Sequence, residues 1–173
     1  MKKILIYPHE ILQKKAEPVK NIDGQLQKLI DEMAETMYHS KGVGLAANQV
    51  GELKRLFVMD ITQGEDGKKG ELIVLINPEI VEAEGQEVME EGCLSVPEFS
   101  AKLKRPAKIC VKAYDRDGKE IELEGSGLFA RCVLHELDHL DGVCFVDRLS
   151  PIKKAMFRKK YQKIVAQRQS EKQ

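Results

Sequence analysis

The sequence predicts an α+β fold in one domain: antiparallel or mixed sheets around a central helix, with an N-terminal and a C-terminal helix in addition. Three observations carry this expectation. Leu26, Leu29, Ile30, Met33 and Met37 recur at three- and four-residue steps, the period of a helix with one buried stripe. From Ala107 to Glu124 the pattern switches to strand alternation, broken by the turn Asp115-Arg116-Asp117-Gly118, as in a meander. Helical segments are too few to cross over between successive strands, which excludes a doubly wound parallel sheet.

Taken in order, residues 4–7 read as a short strand, and Pro8 to Leu12 as a turn or a single helical turn. Asp23 is placed to cap the first long helix, which should stop near Gly42. Gly42 to Gln49 is a small-residue segment where backbone can approach a ligand closely; it lacks the Lys-Ser/Thr ending of a phosphate loop. Leu53 to Ile61 and Leu72 to Ile76 read as strands, with Thr62 to Gly70 as a hairpin or surface loop between them. Pro78 should mark a sheet edge or exit, and Ile80 to Ala83 and Gln86 to Met89 continue the sheet. Glu90 to Pro97 reads as a shaped loop. A helix spans Gly127 to Leu140, and another starts near Pro151 and runs to about residue 166, with a flexible tail expected beyond it.

A chain of 173 residues is long enough to bury a core without disulfides or a structural metal, so a metal in it would be functional. Its 28 Lys and Arg balance 28 Asp and Glu, which argues against a nucleic-acid coat and against an acidic disordered tail. Cys93, Cys110, Cys132 and Cys144 follow no short repeated spacing, so free thiols in a reducing, cytoplasmic setting are expected. The basic and apolar start, Met1 to Ile6, is ended by Pro8, too early for a signal-peptide core or a membrane span.

His135-Glu136-Leu137-Asp138-His139 is the most informative motif. On a helix the two imidazoles sit one turn apart on the same face and can meet one metal, while Glu136 can reach a water on that metal as a general base. Two histidines leave the third ligand open. Asp138 and Asp141 are possible; Cys93 in Glu90-Glu91-Gly92-Cys93-Leu94-Ser95-Val96-Pro97 is the better candidate, although a small buried thiol is an equally ordinary reading of it. Without further information Gln49 reads as an exposed polar residue and Leu94 as a core side chain.

The three segments Gly42 to Gln49, Glu91 to Ser95 and His135 to His139 resemble, in the same order, the three signatures of bacterial peptide deformylases. The resemblance covers nearly the whole chain. It implies metal-dependent hydrolytic removal of the N-formyl group from the formylmethionine of nascent proteins, with release of formate. It implies Cys93, His135 and His139 as ligands of one divalent ion, iron(II) natively, with zinc, nickel or cobalt able to replace it; donor chemistry alone would favour zinc. Glu136 would move the proton, and Gln49 and the Leu94 backbone N–H would stabilise the developing oxyanion. Val43, Gly44, Met89, Leu128, Cys132 and the His135 ring would surround the methionine side chain. Arg105 and Asp138 would support the ligands from behind. Leu134, where the pattern often has glutamine, and Ser100, where some relatives carry arginine, depart from it.

The resemblance also implies a ribosomal partner near the emerging chain, approached through the basic C-terminal helix with Lys153, Lys154, Arg158, Lys159, Lys160 and Lys163. No membrane and no DNA partner is expected. The His-Glu-x-x-His helix taken alone also permits a zinc endopeptidase, and an inactive relative would be a ribosome-associated binding module.

Overall fold

The computed structural model describes residues 1–64 and 68–171. Five strands, β1 (Gly44–Ala46), β2 (Leu56–Met59), β3 (Ile73–Glu84), β6 (Lys108–Tyr114) and β7 (Glu120–Ser126), form an antiparallel sheet in the order β1-β2-β3-β6-β7. Between β3 and β6 the chain makes a separate two-stranded ribbon of β4 (Glu87–Cys93) and β5 (Val96–Arg105). Three α-helices complete the fold: α1 (Gly24–His39), α2 (Gly127–Leu140) and α3 (Pro151–Glu171).

Strand β2 shows why the helices lie where they do. Leu56 and Val58 join Leu26, Ile30 and Met33 of α1 in one core, while Phe57 and Met59 join Ala130, Cys132 and Val133 of α2 in another. Side chains alternate across a strand, so one covered on both faces reads as an unbroken apolar run, as Leu-Phe-Val-Met does. The sheet thus holds α2 by its apolar side and leaves its other side to face the β4–β5 ribbon. A third core, with Val96, Leu103, Phe145, Phe157 and Tyr161, fixes that ribbon and α3.

Helix starts follow the sequence signals. The Asp23 side chain accepts from the Leu26 N–H at 3.0 Å. Ser150 Oγ accepts from the Lys153 N–H at 3.3 Å, with Pro151 at the first helical position, where its missing N–H costs nothing. α3 continues to Glu171, past the expected end near residue 166.

The structure corrects the reading in four places. Residues 4–7 form no strand, and Tyr7 already belongs to a turn; the Leu5 N–H donates to the Gln49 carbonyl at 2.7 Å and the Tyr7 N–H to the Ser95 carbonyl at 2.8 Å. Pro78 does not end its strand. β3 runs through it on a bulge, because pairing with β2 stops at Ile76 while pairing with β6 resumes at Glu79, so the absent N–H is needed by neither neighbour. The third correction is Glu90 to Pro97, which is not a loop but the end of β4, a turn at Leu94-Ser95, and the start of β5. β5 itself escaped notice because its exposed side carries Glu98, Ser100, Lys102 and Lys104, which mask the alternation. Finally, Leu53 to Ile61 shortens to β2. Of the expected Thr62–Gly70 hairpin, 65–67 lie outside the described residues; its two ends are tied to buried Asp60, which accepts from the Thr62 and Gly70 N–H groups at 2.9 Å each.

Candidate active site

The β4–β5 turn is pinned against α2. This puts Cys93 Sγ 3.2 Å from His139 Nε2, and one donor atom from each of Cys93, His135 and His139 lies within 4.8 Å of the others. A tetrahedral site with ligand bonds of about 2.0–2.3 Å needs donor separations of about 3.3–3.8 Å, the same scale. The protonation chemistry fits as well. Burial, then the nearby His135 and Arg105, holds His139 well below the ordinary histidine range, so it is a neutral imidazole with a free lone pair. A hydrogen bond with Cys144, then burial, pushes the Cys93 thiol up against the Ser95 N–H, which donates to Sγ at 3.4 Å, and a cation beside it would favour the thiolate.

Glu91, two residues before Cys93, orients the site. Its buried carboxylate accepts from Arg105 Nε at 2.6 Å and Nη2 at 3.0 Å, from Arg131 Nη1 at 2.7 Å, and from His135 Nδ1 at 2.9 Å. Because Nδ1 must carry the proton for that last bond, Nε2 is the nitrogen left to offer a lone pair to an ion; burial opposes the imidazolium, but the Glu91 bond outweighs it and raises His135 above its ordinary range. Burial opposes the charge on Glu91, but the hydrogen bonds from His135 and Arg105 outweigh it and hold the carboxyl far below its ordinary range. Asp138 extends the network, accepting from Arg105 Nη1 at 2.8 Å and from Arg148 Nε and Nη2 at 2.6 and 2.8 Å.

Glu136 is different from these paired acids. It is buried, its Oε1 has no hydrogen-bond partner among the described residues, and burial raises it to about 7. Its other oxygen lies where Gly44 leaves room: a Cβ on Gly44 would stand 2.6 Å from Glu136 Oε2 and 2.9 Å from Cys132 Sγ. On the opposite side Gln49 Oε1 accepts from the Ala46 N–H at 2.9 Å, which fixes the amide so that Nε2 faces Ser95 Oγ at 3.0 Å and Cys93 Sγ at 3.5 Å. The whole group opens into a cavity of about 610 Å³, walled in part by Val43, Leu94, Leu128 and Cys132. A paired thiol and imidazoles, a poised carboxyl and an amide donor around one recess suit hydrolysis of a carbonyl compound.

Comparison with known proteins bears on which. The polypeptide deformylase family model matches residues 1–155. The chain belongs to this family. It is 56% identical over 155 residues to the peptide deformylase of Thermodesulfovibrio yellowstonii, covering 90% of this chain and 93% of that protein. Against the peptide deformylase of Syntrophobacter fumaroxidans it is 52% identical over 160 residues, covering 92% and 93%. The crystal structure of a peptide deformylase from Legionella pneumophila superposes with a TM-score of 0.90 at 49% identity, covering 97% of each chain.

The deformylase fold brings most of the expected residues together. Cys93, His135, His139, Glu136, Gln49 and the Leu94 turn converge, with Val43, Gly44, Leu128 and Cys132 on the cavity wall. Met89 is half-buried on β4 and is not among the cavity-lining residues. Arg105 pairs with both Asp138 and Glu91, behind the ligands. The alternative ligand Asp141 points elsewhere, 3.0 Å from Arg55 Nη2. Leu134 packs against the core of the sheet, and Ser100 Oγ donates to Glu90 Oε1 at 2.6 Å.

Sequence reading overlooked Glu91, Arg131 and Arg148. Each looks like an ordinary surface charge along the chain, and the one available signal was Glu91 standing on the same strand face as Cys93, two residues away. It also gave Cys144 little weight; the structure packs it in the same core as Cys93.

Proposed function

We propose that this deformylase hydrolyses the N-formyl amide of formylmethionine at the start of nascent chains, releasing formate and a free amino terminus. The observation that carries the reading is the buried, unpartnered Glu136 carboxyl beside the Cys93, His135 and His139 cluster, at the floor of an open cavity. Cys93 Sγ and the two histidine Nε2 atoms would hold one divalent ion, iron(II) natively, with zinc, nickel or cobalt able to occupy the same donors. Such an ion supplies Lewis acidity, bringing water to a nucleophilic state near neutral pH and polarising the carbonyl.

The chain's own groups do the rest. Glu136, raised to about 7 by burial, takes a proton from the attacking water on Oε1 and delivers it to the departing nitrogen. Gln49 Nε2 and the Leu94 N–H donate to the oxygen that gains charge, and the Ala46 bond keeps the Gln49 amide in the donating orientation. Gly44 leaves the Glu136 carboxyl its place, and Val43, Leu128 and Cys132 offer an apolar wall to the methionine side chain.

A ribosomal approach through α3 is part of the proposal. Its cations surround the helix instead of forming one face, with Lys154 and Arg158 bordering a groove beside Tyr7. Binding to ribosomes should weaken with salt and with replacement of Lys154 and Arg158. A cytoplasmic site of action belongs to the same reading; among the described residues no helix is long and apolar enough to cross a membrane.

The decisive test is formate release from a formylmethionyl peptide by protein prepared without oxygen and loaded with iron(II), alongside the N-acetyl analogue and the Glu136→Gln variant. Turnover of the formyl peptide alone, lost in the variant while metal is retained, is the expected result. Cleavage of internal peptide bonds instead would replace the reading with an endopeptidase.

A further inference from the structure

The active-site cavity does not end at its own wall. Phe99, Ser100 and Lys160 line it and also line a second recess of about 570 Å³ between β5 and α3. The floor of this recess is apolar: Phe157 and Leu149 are buried beneath it, and Met156 stands 67% exposed on its side. Its rim is cationic. Lys102 on β5 and Lys153, Lys159, Lys160 and Lys163 on α3 border it, and among the described residues no acidic one is in its lining. Among the described residues none of these five lysines forms a salt bridge; Lys160 Nζ rests 5.8 Å from the Phe99 ring centroid, at the junction of the two recesses. On the active-site side Glu90 and Glu98 line the wall together with Lys41 and the shared Lys160. The lining therefore passes from mixed charge in the cavity to lysines alone in the adjoining recess.

We propose that this lysine-rimmed recess is a specificity subsite for the peptide substrate, taking acidic and apolar residues several positions downstream of the formylmethionine. The inference rests on the deformylase reading of the cavity. Two features favour the substrate chain as occupant. The recess adjoins the cavity that holds the amino terminus across Phe99, Ser100 and Lys160, so a chain leaving that cavity over Ser100 meets it. Five unpaired cations over an apolar floor complement a segment that alternates carboxylates with apolar side chains. Because the lysines are exposed, each contact is weak and screened by salt, and the preference is the sum of several such contacts.

The test uses full-length, metal-loaded protein and three substrates: a formylmethionyl tripeptide, and two formylated decapeptides identical except for Glu or Lys at positions five to eight. At low ionic strength the Glu decapeptide should show a kcat/KM at least about tenfold above the Lys decapeptide, and 0.5 M salt should largely abolish the difference. The double variant Lys102→Glu, Lys163→Glu should reverse the preference and leave tripeptide turnover unchanged. Equal rates for the two decapeptides, or a preference untouched by charge reversal, would overturn the proposal with the deformylase activity intact. Absence of tripeptide turnover would instead defeat the deformylase reading. The recess would then be judged by fluorescence anisotropy of a labelled, unformylated Glu decapeptide, for which binding lost in the double variant supports an acidic-peptide subsite and no binding removes it. Should a structured RNA oligonucleotide bind there in place of the Glu decapeptide, and the double variant lose it, the surface serves nucleic acid and the peptide proposal fails.

Discussion

Replacing Glu91 by Gln is the sharpest perturbation of the site's scaffold, because it changes a charge and almost no volume. The carboxylate accepts four hydrogen bonds, two from Arg105, one from Arg131 and one from His135. A glutamine keeps one accepting oxygen and turns a donating NH2 toward groups that can only donate, so about half of those bonds become repulsive. Arg105 retains Asp138 and Arg131 retains the Leu103 and Glu87 carbonyls, which caps the damage below that of a fully orphaned pair. Breaking a buried pair by removing one partner typically costs about 3–5 kcal/mol, and the lower half of that range applies here. With a urea dependence of about 2 kcal/mol per molar, the unfolding midpoint should fall by about 1.5–2 M. The pH dependence has a definite sign. Glu91 is depressed in the folded chain relative to its ordinary 4.5, so its stabilising contribution is fully present above that value and is lost as pH falls through the folded-state value. Burial opposes charge on His135, but the Glu91 bond outweighs it and raises His135 above its ordinary 6.5, so the gap between native protein and variant should widen as pH falls through the histidine range and shrink only in stronger acid, where Glu91 itself protonates. Because His135 also loses the partner that holds its tautomer, metal affinity should drop about 10–100-fold. A midpoint shift under 0.3 M urea with unchanged metal retention would refute the argument.

Three further outcomes follow from the same geometry. Gly44→Ala places a methyl 2.6 Å from Glu136 Oε2 and 2.9 Å from Cys132 Sγ, so kcat/KM should fall about 100-fold while the urea midpoint, measured beside it, changes far less; normal turnover would show that Glu136 does not need that position. Gln49→Ala removes a donor whose amide is already fixed by Ala46, and kcat should drop about 10²–10³-fold with metal content and KM for a formyl peptide little changed. Loading metal into the apoprotein at pH 7 should release more than one proton per ion: the Cys93 thiol, raised in the absence of metal, gives up one, and Glu136, at about 7, gives up part of another as a cation lowers it. Calorimetry in buffers of different ionisation enthalpy reads that number directly, and buffer-independent heats would contradict it.

What the sequence by itself determined was whatever is encoded within one element. The spacing of Leu26 to Met37, the Asp23 cap, the Ser150-Pro151 start, the meander of β6 and β7, and the two histidines one turn apart all follow from local periodicity and capping chemistry. The order of three short motifs sufficed for the family as well. Tertiary structure decided what depends on residues far apart in the chain. β5 is hidden by its charged outer side, and Pro78 stays within β3 only because β2 has already turned away. The choice of Cys93 over Asp141 as the histidines' neighbour needed the β4–β5 turn to be docked on α2 and Arg55 to engage Asp141. Glu91 and Arg131 are indistinguishable from solvated charges until the ribbon folds over the helix and removes water from them, and Arg148, itself exposed, is marked only by its contact with Asp138. A charge reveals its role only when burial makes its partners obligatory, and burial is a property of the folded chain rather than of any segment of it.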